Sequence, residues 1–361
     1  MICQQHDLPG LVPGTRHTFN SYHFGQDGGG PHVYLQAGLH ADELPGVLLL
    51  HRLRRELTVL EQAGRVAGRI TLVPMCNPLG MAQHWQGQHH GRFESDSGEN
   101  FNRHYPDLSE RAAQLCREGQ LPPRAALRQA LAELPQRTAL DGLRHALTDM
   151  ALQADMVLDV HCDSEAVLHL YGNHRHAAEA AVLAGFMQAG ATLLCDEAGG
   201  MSFDDAVVQN WLRLERQLAQ PLPVPFAVTL ELRGVADVDD SLAARDSDSL
   251  LAWLMAQGVL TGEPLPAPLP PNPPTPLEGV ACIVAPHGGV VVYQVPVGRQ
   301  VQAGTRLAYL LDPLSGERTP LVASHDGYYY ARVAGRLVCA GAEVAYIATP
   351  HALRQGQLLS A

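Results

Sequence analysis

Residues 32–50, HVYLQAGLHADELPGVLLL, carry the reading that decides the fold. The apolar run His32–Gln36 reads as a strand, Gly38 turns the chain, and Pro45 suits the first turn of a helix. The helix follows in the periodicity of Val47–Gln62. Strand, turn and helix in so short a span form the basic unit of a layered α/β sheet. His40 and Glu43, with two residues between them, fall at the carboxyl end of the strand, the edge where open α/β sheets bind ligands. An imidazole and a carboxylate at this spacing can converge on one point and hold a metal. The plainer alternative is a helix start with a solvated glutamate.

Outward from this unit the pattern repeats. Arg69–Met75, Met156–Val160 and Phe226–Leu232 read as further strands. Ser109–Arg117, Arg124–Glu133, Leu140–Gln153, His176–Ala189 and Ser247–Gln257 have helical spacing. The pattern stops at a proline-rich stretch, GEPLPAPLPPNPPTP, which reads as a semi-rigid linker. Beyond it come short strands with glycine-rich turns: Val280–Ile283, Gly289–Tyr293, Arg306–Leu311, Leu321–Ala323, Gly327–Val333 and Glu343–Ile347. The predicted division is therefore 1–262, a linker at 263–276, and a small β domain at 277–361. Within that domain Gly298-x-x-Val-x-x-Gly304 is echoed by Val338-Cys-Ala-Gly341, the trace of a pseudo-repeat.

Composition excludes several functions. A net charge of −12, from 25 basic and 37 acidic residues, argues against nucleic acid, which needs a basic face. Every basic residue is arginine. Without lysine the chain can form no Schiff base, build no Walker-type loop and carry no biotin or lipoate. The seven cysteines form no CxxC pair, so neither a zinc knuckle nor a disulfide scaffold is expected. No apolar run reaches membrane length and the N-terminus lacks a signal pattern, so a cytoplasmic protein without a membrane partner is the expectation.

Four more stretches carry chemistry. Asn77-Pro78-Leu79-Gly80 closes a strand in a turn. Glu99-Asn100-Phe101-Asn102-Arg103, with Arg92 upstream, offers an asparagine and an arginine able to grip a carboxylate, the arginine by two points. In Asp159-Val160-His161 the period of two places aspartate and histidine on one strand face. The histidine is a candidate ligand and Asp159 its orienting partner, although a core hydrogen bond would also account for His161. Glu231 ends an apolar strand, where a buried carboxylate is rare unless paired or functional.

In this order the motifs resemble the zinc carboxypeptidase superfamily, and within it the succinylglutamate desuccinylase/aspartoacylase family. The resemblance implies an α/β fold, a mixed sheet with helices on both faces, followed by a barrel-sandwich-like all-β domain. It implies one Zn2+ held by His40, Glu43 and His161, with Glu231 as general base and Arg92 stabilising the oxyanion. Asn102 and Arg103 would hold the carboxylate of a small substrate. The implied reaction is hydrolysis of an N-acyl amino acid to a carboxylic acid and an amine. Arg233 departs from the family pattern and is expected to alter the acyl pocket or add an anion contact. Tyr171, Arg175, Arg213 and Arg216 are undifferentiated candidates for substrate selection. The C-terminal domain, lacking lysine, is expected to act as a lid or as a contact in a homo-oligomer.

Three other readings compete. A carboxypeptidase acting on short peptides would use the same groups. An inactive module binding a metabolite or partner would need none of the catalytic residues. A metal-storage protein would draw on the 18 histidines, of which His84, His89, His90 and His104 lie close together in sequence.

Overall fold

The computed structural model describes residues 1–361 except 11, 26–28, 120, 264, 355–357 and 359–361. A nine-stranded mixed sheet forms its centre. Its strands are β1 (Ile2–Asp7), β2 (Thr18–Phe24), β3 (His32–Ala37), β4 (Arg69–Val73), β5 (Met156–Asp163), β6 (His169–Asn173), β7 (Ala191–Cys195), β8 (Phe226–Gly234) and β9 (Thr275–Pro276). Across the sheet they run β1-β2-β4-β3-β5-β8-β6-β7-β9. The run β4-β3-β5-β8 is parallel, and β6 enters antiparallel to β8.

Among the described residues seven helices of nine residues or more pack around the sheet: α1 (Leu44–Gln62), α2 (Ser109–Arg117), α3 (Pro123–Ala132), α4 (Ala139–Leu152), α5 (Ala177–Met187), α6 (Phe203–Leu218) and α7 (Asp240–Ala256). They cover both faces, as the alternation along the strands shows. Val33, Leu35, Leu158, Val160, Val228 and Leu230 join a core with α1, α5 and α7. Tyr34, Val157 and Ala227 point the other way, into a core with α4 and α6. Strands buried on both faces read as nearly continuous apolar runs, so β3 and β5 stood out in the sequence.

Several predicted elements shift at their ends. The first helix starts at Leu44, the last helix before the proline-rich stretch starts at Asp240 rather than Ser247, and β5 runs on to Asp163. Asp239 caps α7 by accepting from Ser241 and Leu242 backbone N–H groups, which carries that helix one more turn and beyond toward its start. Strands β1, β2, β6 and β7 and helix α6 lie where the sequence analysis placed nothing. In the proline-rich stretch, Asn272 donates to the Gly190 carbonyl at 2.8 Å, and Thr275–Pro276 pairs with β7 as an edge strand, a position that tolerates proline.

The C-terminal strands are β10 (Val280–Val284), β11 (Gly289–Tyr293), β12 (Arg299–Val301), β13 (Arg306–Leu311), β14 (Arg318–Val322), β15 (Gly327–Arg332), β16 (Leu337–Val338) and β17 (Glu343–Ala348). They form two antiparallel sheets, β10-β17-β15-β12, joined by the short strand Glu165–Ala166 beside β15, and β14-β13-β11-β16, around a shared apolar core. Gly304 and Gly341 both turn the chain at positive φ, +87° and +84°, before β13 and β17. These strands close against the edge of the large sheet: Leu193 and Cys195 pack with Leu277, Val280 and Tyr330.

Helix α4 begins with a capping box. The Thr138 hydroxyl accepts from the Asp141 N–H at 3.0 Å, and the Asp141 carboxylate accepts from the Thr138 N–H at 3.0 Å. Thr138→Ala is expected to cost about 1 kcal/mol. A urea titration should show a lower midpoint at constant slope, and an unmoved midpoint would show the cap to be dispensable.

Candidate metal centre and cavity

The loop after β3 brings the first residues of the site together. Gly38 takes φ +71°, which favours glycine, and lets the chain double back so that His40 and Glu43 face β5. Gly91 holds the loop from outside: its carbonyl accepts from the Ala41 N–H at 2.9 Å, and an added Cβ would meet Asp42 N at 2.2 Å. Strand register supplies the rest. His161 on β5 pairs with Glu231 on β8, and Asp159 with Thr229, so all four side chains share the face covered by α4 and α6.

Glu43 sits between two imidazoles. Its Oε1 lies 2.9 Å from His40 Nδ1 and its Oε2 lies 2.7 Å from His161 Nδ1. The Cys162 backbone N–H also donates to Oε2, at 3.1 Å. Candidate ligand atoms of His40, Glu43 and His161 lie within 4.8 Å of one another, and all three residues are buried. The outer ring nitrogens are held as well. His40 Nε2 is 2.8 Å from Asn100 Oδ1, and His161 Nε2 is 3.0 Å from Asp159 Oδ2. Outer acceptors of this kind leave the inner nitrogens free to ligate. Asp159 is fixed in turn by Gln36, at 2.9 Å, and Gln36 by the Tyr34 hydroxyl, at 2.7 Å.

The electrostatics call for a cation. Burial alone would raise Glu43, but the two facing imidazoles hold it well below the usual carboxylate value. Burial lowers His161, yet the carboxylates of Asp159 and Glu43 outweigh it and hold the ring well above its ordinary value. Two imidazoles and a carboxylate are donors that zinc takes, and three protein ligands leave a coordination position for a reactant. The residues therefore fit a divalent metal.

Glu231 lines the same cavity, and its Oε2 is buried without a hydrogen-bond partner. Burial first, then the Glu43 carboxylate, hold it well above the usual value. Arg92 reaches in from the loop, its NH1 3.3 Å from Glu43 Oε1 and 3.3 Å from His40 Nδ1. Arg103 is buried at the cavity wall and donates to the Asn102 carbonyl at 2.7 Å. Asn102 is engaged on both sides: its Oδ1 accepts from the Phe203 N–H at 2.8 Å, and its Nδ2 is 3.5 Å from His161 Nε2.

The cavity holds about 220 Å³. One wall comes from the C-terminal strands, through Val280, Tyr330, Glu343 and Tyr346, with Arg354 and Leu358 beyond them. The structure also brings in Asp163, Asp204 and Asp205, to which the sequence analysis gave no role. Ser202 before two acids at a helix start is the signal that would have revealed α6 and with it the last pair.

Other expectations are corrected. Arg233 neither shapes the cavity nor contacts an anion there. It takes a left-handed φ of +57° at a bulge in β8 and pairs with buried Asp246 of α7. Of the four selection candidates only Tyr171 lines the cavity. Arg175 pairs with Glu215, and Arg213 with Asp107 and Glu197. His84 and His89 stack on each other in a surface hairpin, and His104 pairs with Glu99.

A parallel-centred α/β sheet thus presents two histidines and two glutamates beneath a β-domain wall, and three of them, His40, Glu43 and His161, could hold a metal ion. The catalytic-domain profile of succinylglutamate desuccinylase/aspartoacylase matches residues 29–256. The chain belongs to this family of hydrolases. Solved relatives agree. A family protein from Shewanella amazonensis is 27% identical over 97% of this chain and 99% of its own, with a TM-score of 0.83. One from Shewanella frigidimarina is also 27% identical, over 96% and 97%, with a TM-score of 0.83. The ectoine utilization protein EutE of Ruegeria pomeroyi shares the fold at 18% identity, over 96% and 94%, with a TM-score of 0.68. No curated protein matches the chain. Among the described residues no helix is long and apolar enough to cross a membrane.

Proposed function

We propose that this protein is a zinc-dependent amidohydrolase that removes the acyl group from a small N-acyl amino acid. One observation carries the reading. Glu231 stands beside His161 in the strand register, with a buried and unpartnered oxygen, on the face where Glu43 joins two imidazoles.

Each residue then has a task. Arg103, beside Asn102, binds the substrate carboxylate, for which a guanidinium offers two parallel donors. A divalent ion held by His40, Glu43 and His161 would supply Lewis acidity and make water a competent nucleophile near neutral pH. Glu231 takes the proton of the attacking water and returns it to the leaving nitrogen. Its elevated affinity for a proton suits both transfers. Arg92 stabilises negative charge as it grows on the carbonyl oxygen. Asp159 holds the His161 ring in orientation, with Gln36 and Tyr34 behind it. The wall formed by the C-terminal strands keeps bulk water out.

The cavity volume favours a small substrate over a peptide. It lies below the range of about 300–1,000 Å³ usual for pockets that enclose drug-sized ligands. The C-terminal wall also blocks the open groove that a peptide chain would need.

Metal analysis by plasma mass spectrometry tests the reading at its base. Gently purified protein is expected to hold about one zinc ion per chain, and His161→Ala to lose it. Protein that stays metal-free after reconstitution with zinc would overturn the proposal.

A further inference from the structure

The strand that carries His161 does not stop at the metal centre. β5 runs to Asp163, Ser164 bends the chain, and Glu165–Ala166 pairs antiparallel with β15 of the C-terminal domain, Glu165 opposite Arg332 and Ala166 opposite Ala331. The Ser164 hydroxyl accepts from the Ala334 N–H at 2.6 Å, and the Val167 N–H donates to the Tyr330 carbonyl at 2.9 Å. Residues 164–167 thus join the His161 strand to the far wall of the cavity. Tyr330 of that wall packs edge to face on His169, with ring centroids 5.0 Å apart, and His169 is the register partner of Glu231.

Glu165 closes this junction. Its Oε2 accepts from Arg332 Nε at 2.6 Å and its Oε1 from Arg336 NH2 at 2.5 Å, one guanidinium for each oxygen. Neither arginine is free to follow it. Both guanidiniums lie over the Tyr293 ring, 4.4 and 4.7 Å from its centroid, where the ring face attracts a cation. Arg332 also donates to the Val295 carbonyl at 3.2 Å, and Arg336 to the Val333 and Ala334 carbonyls at 2.6 and 3.0 Å. The Tyr293 hydroxyl donates in turn to the Val344 carbonyl at 2.7 Å. Both cations are therefore fixed within the C-terminal domain, and Glu165 is the carboxylate that the large-sheet domain brings to them. An isolated exposed ion pair would add little. A carboxylate that meets two guanidiniums already held in place gives up less freedom for each bond.

We propose that Glu165 is a positioning residue. It sets where Tyr330, Glu343 and Tyr346 stand over the cavity that His161 and Glu231 also line, and does not line that cavity itself. The effect on turnover rests on the proposed hydrolase reading, whereas the effect on the wall rests on the geometry of the junction alone. The wall contacts substrate away from the metal centre, so releasing it weakens binding and leaves the bond-breaking groups in place. Glu165→Gln keeps the size of the side chain but turns one acceptor into a donor, and one guanidinium then faces an amide N–H.

The test reads the wall in two ways on zinc-loaded protein. Labelling with N-ethylmaleimide and peptide mapping follows Cys195, buried at the cavity against Val280 and Tyr330, beside Cys76, buried in a core cluster outside it. Glu165→Gln is expected to label at Cys195 at least about tenfold faster than wild type, the scale of one hydrogen bond to a charged group, with Cys76 unlabelled in both. Steady-state kinetics on Nα-acetyl-L-alanine should show KM raised by about the same factor while kcat and zinc content hold. A merely structural role would instead lower the active fraction, and so kcat, at constant KM. Unchanged labelling of Cys195, or a fall in kcat with KM unmoved, overturns the proposal. Labelling of Cys76 marks a variant that unfolds, and Ser164→Ala, which removes the acceptor of the Ala334 N–H, then carries the same comparison. If wild type leaves the amide intact, that result counts against the deacylase reading alone, and labelling decides the role of Glu165 by itself.

Discussion

Glu231→Gln is expected to lower kcat by about 10²- to 10⁴-fold, the range for a positioned general acid–base, while KM and zinc content change little. The substitution keeps shape and removes only the capacity to take a proton. Three features point to so large an effect. The strand register fixes Glu231 beside His161. Burial and Glu43 raise its affinity for a proton. One oxygen has no competing partner within the protein. Steady-state kinetics on the best N-acyl amino acid, with metal content measured on the same sample, would decide. A kcat within about tenfold of wild type at full zinc occupancy would remove Glu231 from the chemistry and leave Asp163, another raised carboxylate of the cavity, to be tested.

Asp246→Ala should be the most damaging substitution outside the site. Arg233 and Asp246 form an ion pair at side-chain exposures of 14% and 4%, so removing the acid leaves a nearly buried guanidinium without its counterion. Loss of one partner of a buried pair costs about 3–5 kcal/mol, a large share of a typical domain's stability. Replacing both residues with apolar ones of similar volume should cost much less, because no charge is then stranded. Urea denaturation of the single and double variants separates the cases. If Asp246→Ala falls within 1 kcal/mol of wild type by that measurement, the pair is solvated enough to be dispensable.

What the sequence revealed follows from how local each signal was. The β3–α1 unit was legible because an apolar run, a turn glycine and Pro45 lie within a few residues. His161 and Glu231 were each legible because each ends an apolar run, although only the register shows them to be neighbours. Strand β1 was missed because Ile2–Asp7 is a polar edge strand, exposed along most of its length, with no alternation to read. Strand β6 was missed because His169, Tyr171, Gly172 and Asn173 break up its apolar character. The burial of Asp204 and Asp205 at the cavity was not local at all. In sequence they resemble solvated acids at a helix start, and tertiary packing alone buries them.

The wall of C-terminal strands has a consequence for how the enzyme can diversify. Residues proposed for bond breaking lie on loops and strands before residue 235, whereas Tyr330, Glu343 and Tyr346, which line the opposite wall of the cavity, lie about a hundred residues later. The two sets can drift under separate selection. Exchange of the terminal segment between related genes would pass on a new diet while leaving the machinery of cleavage in place.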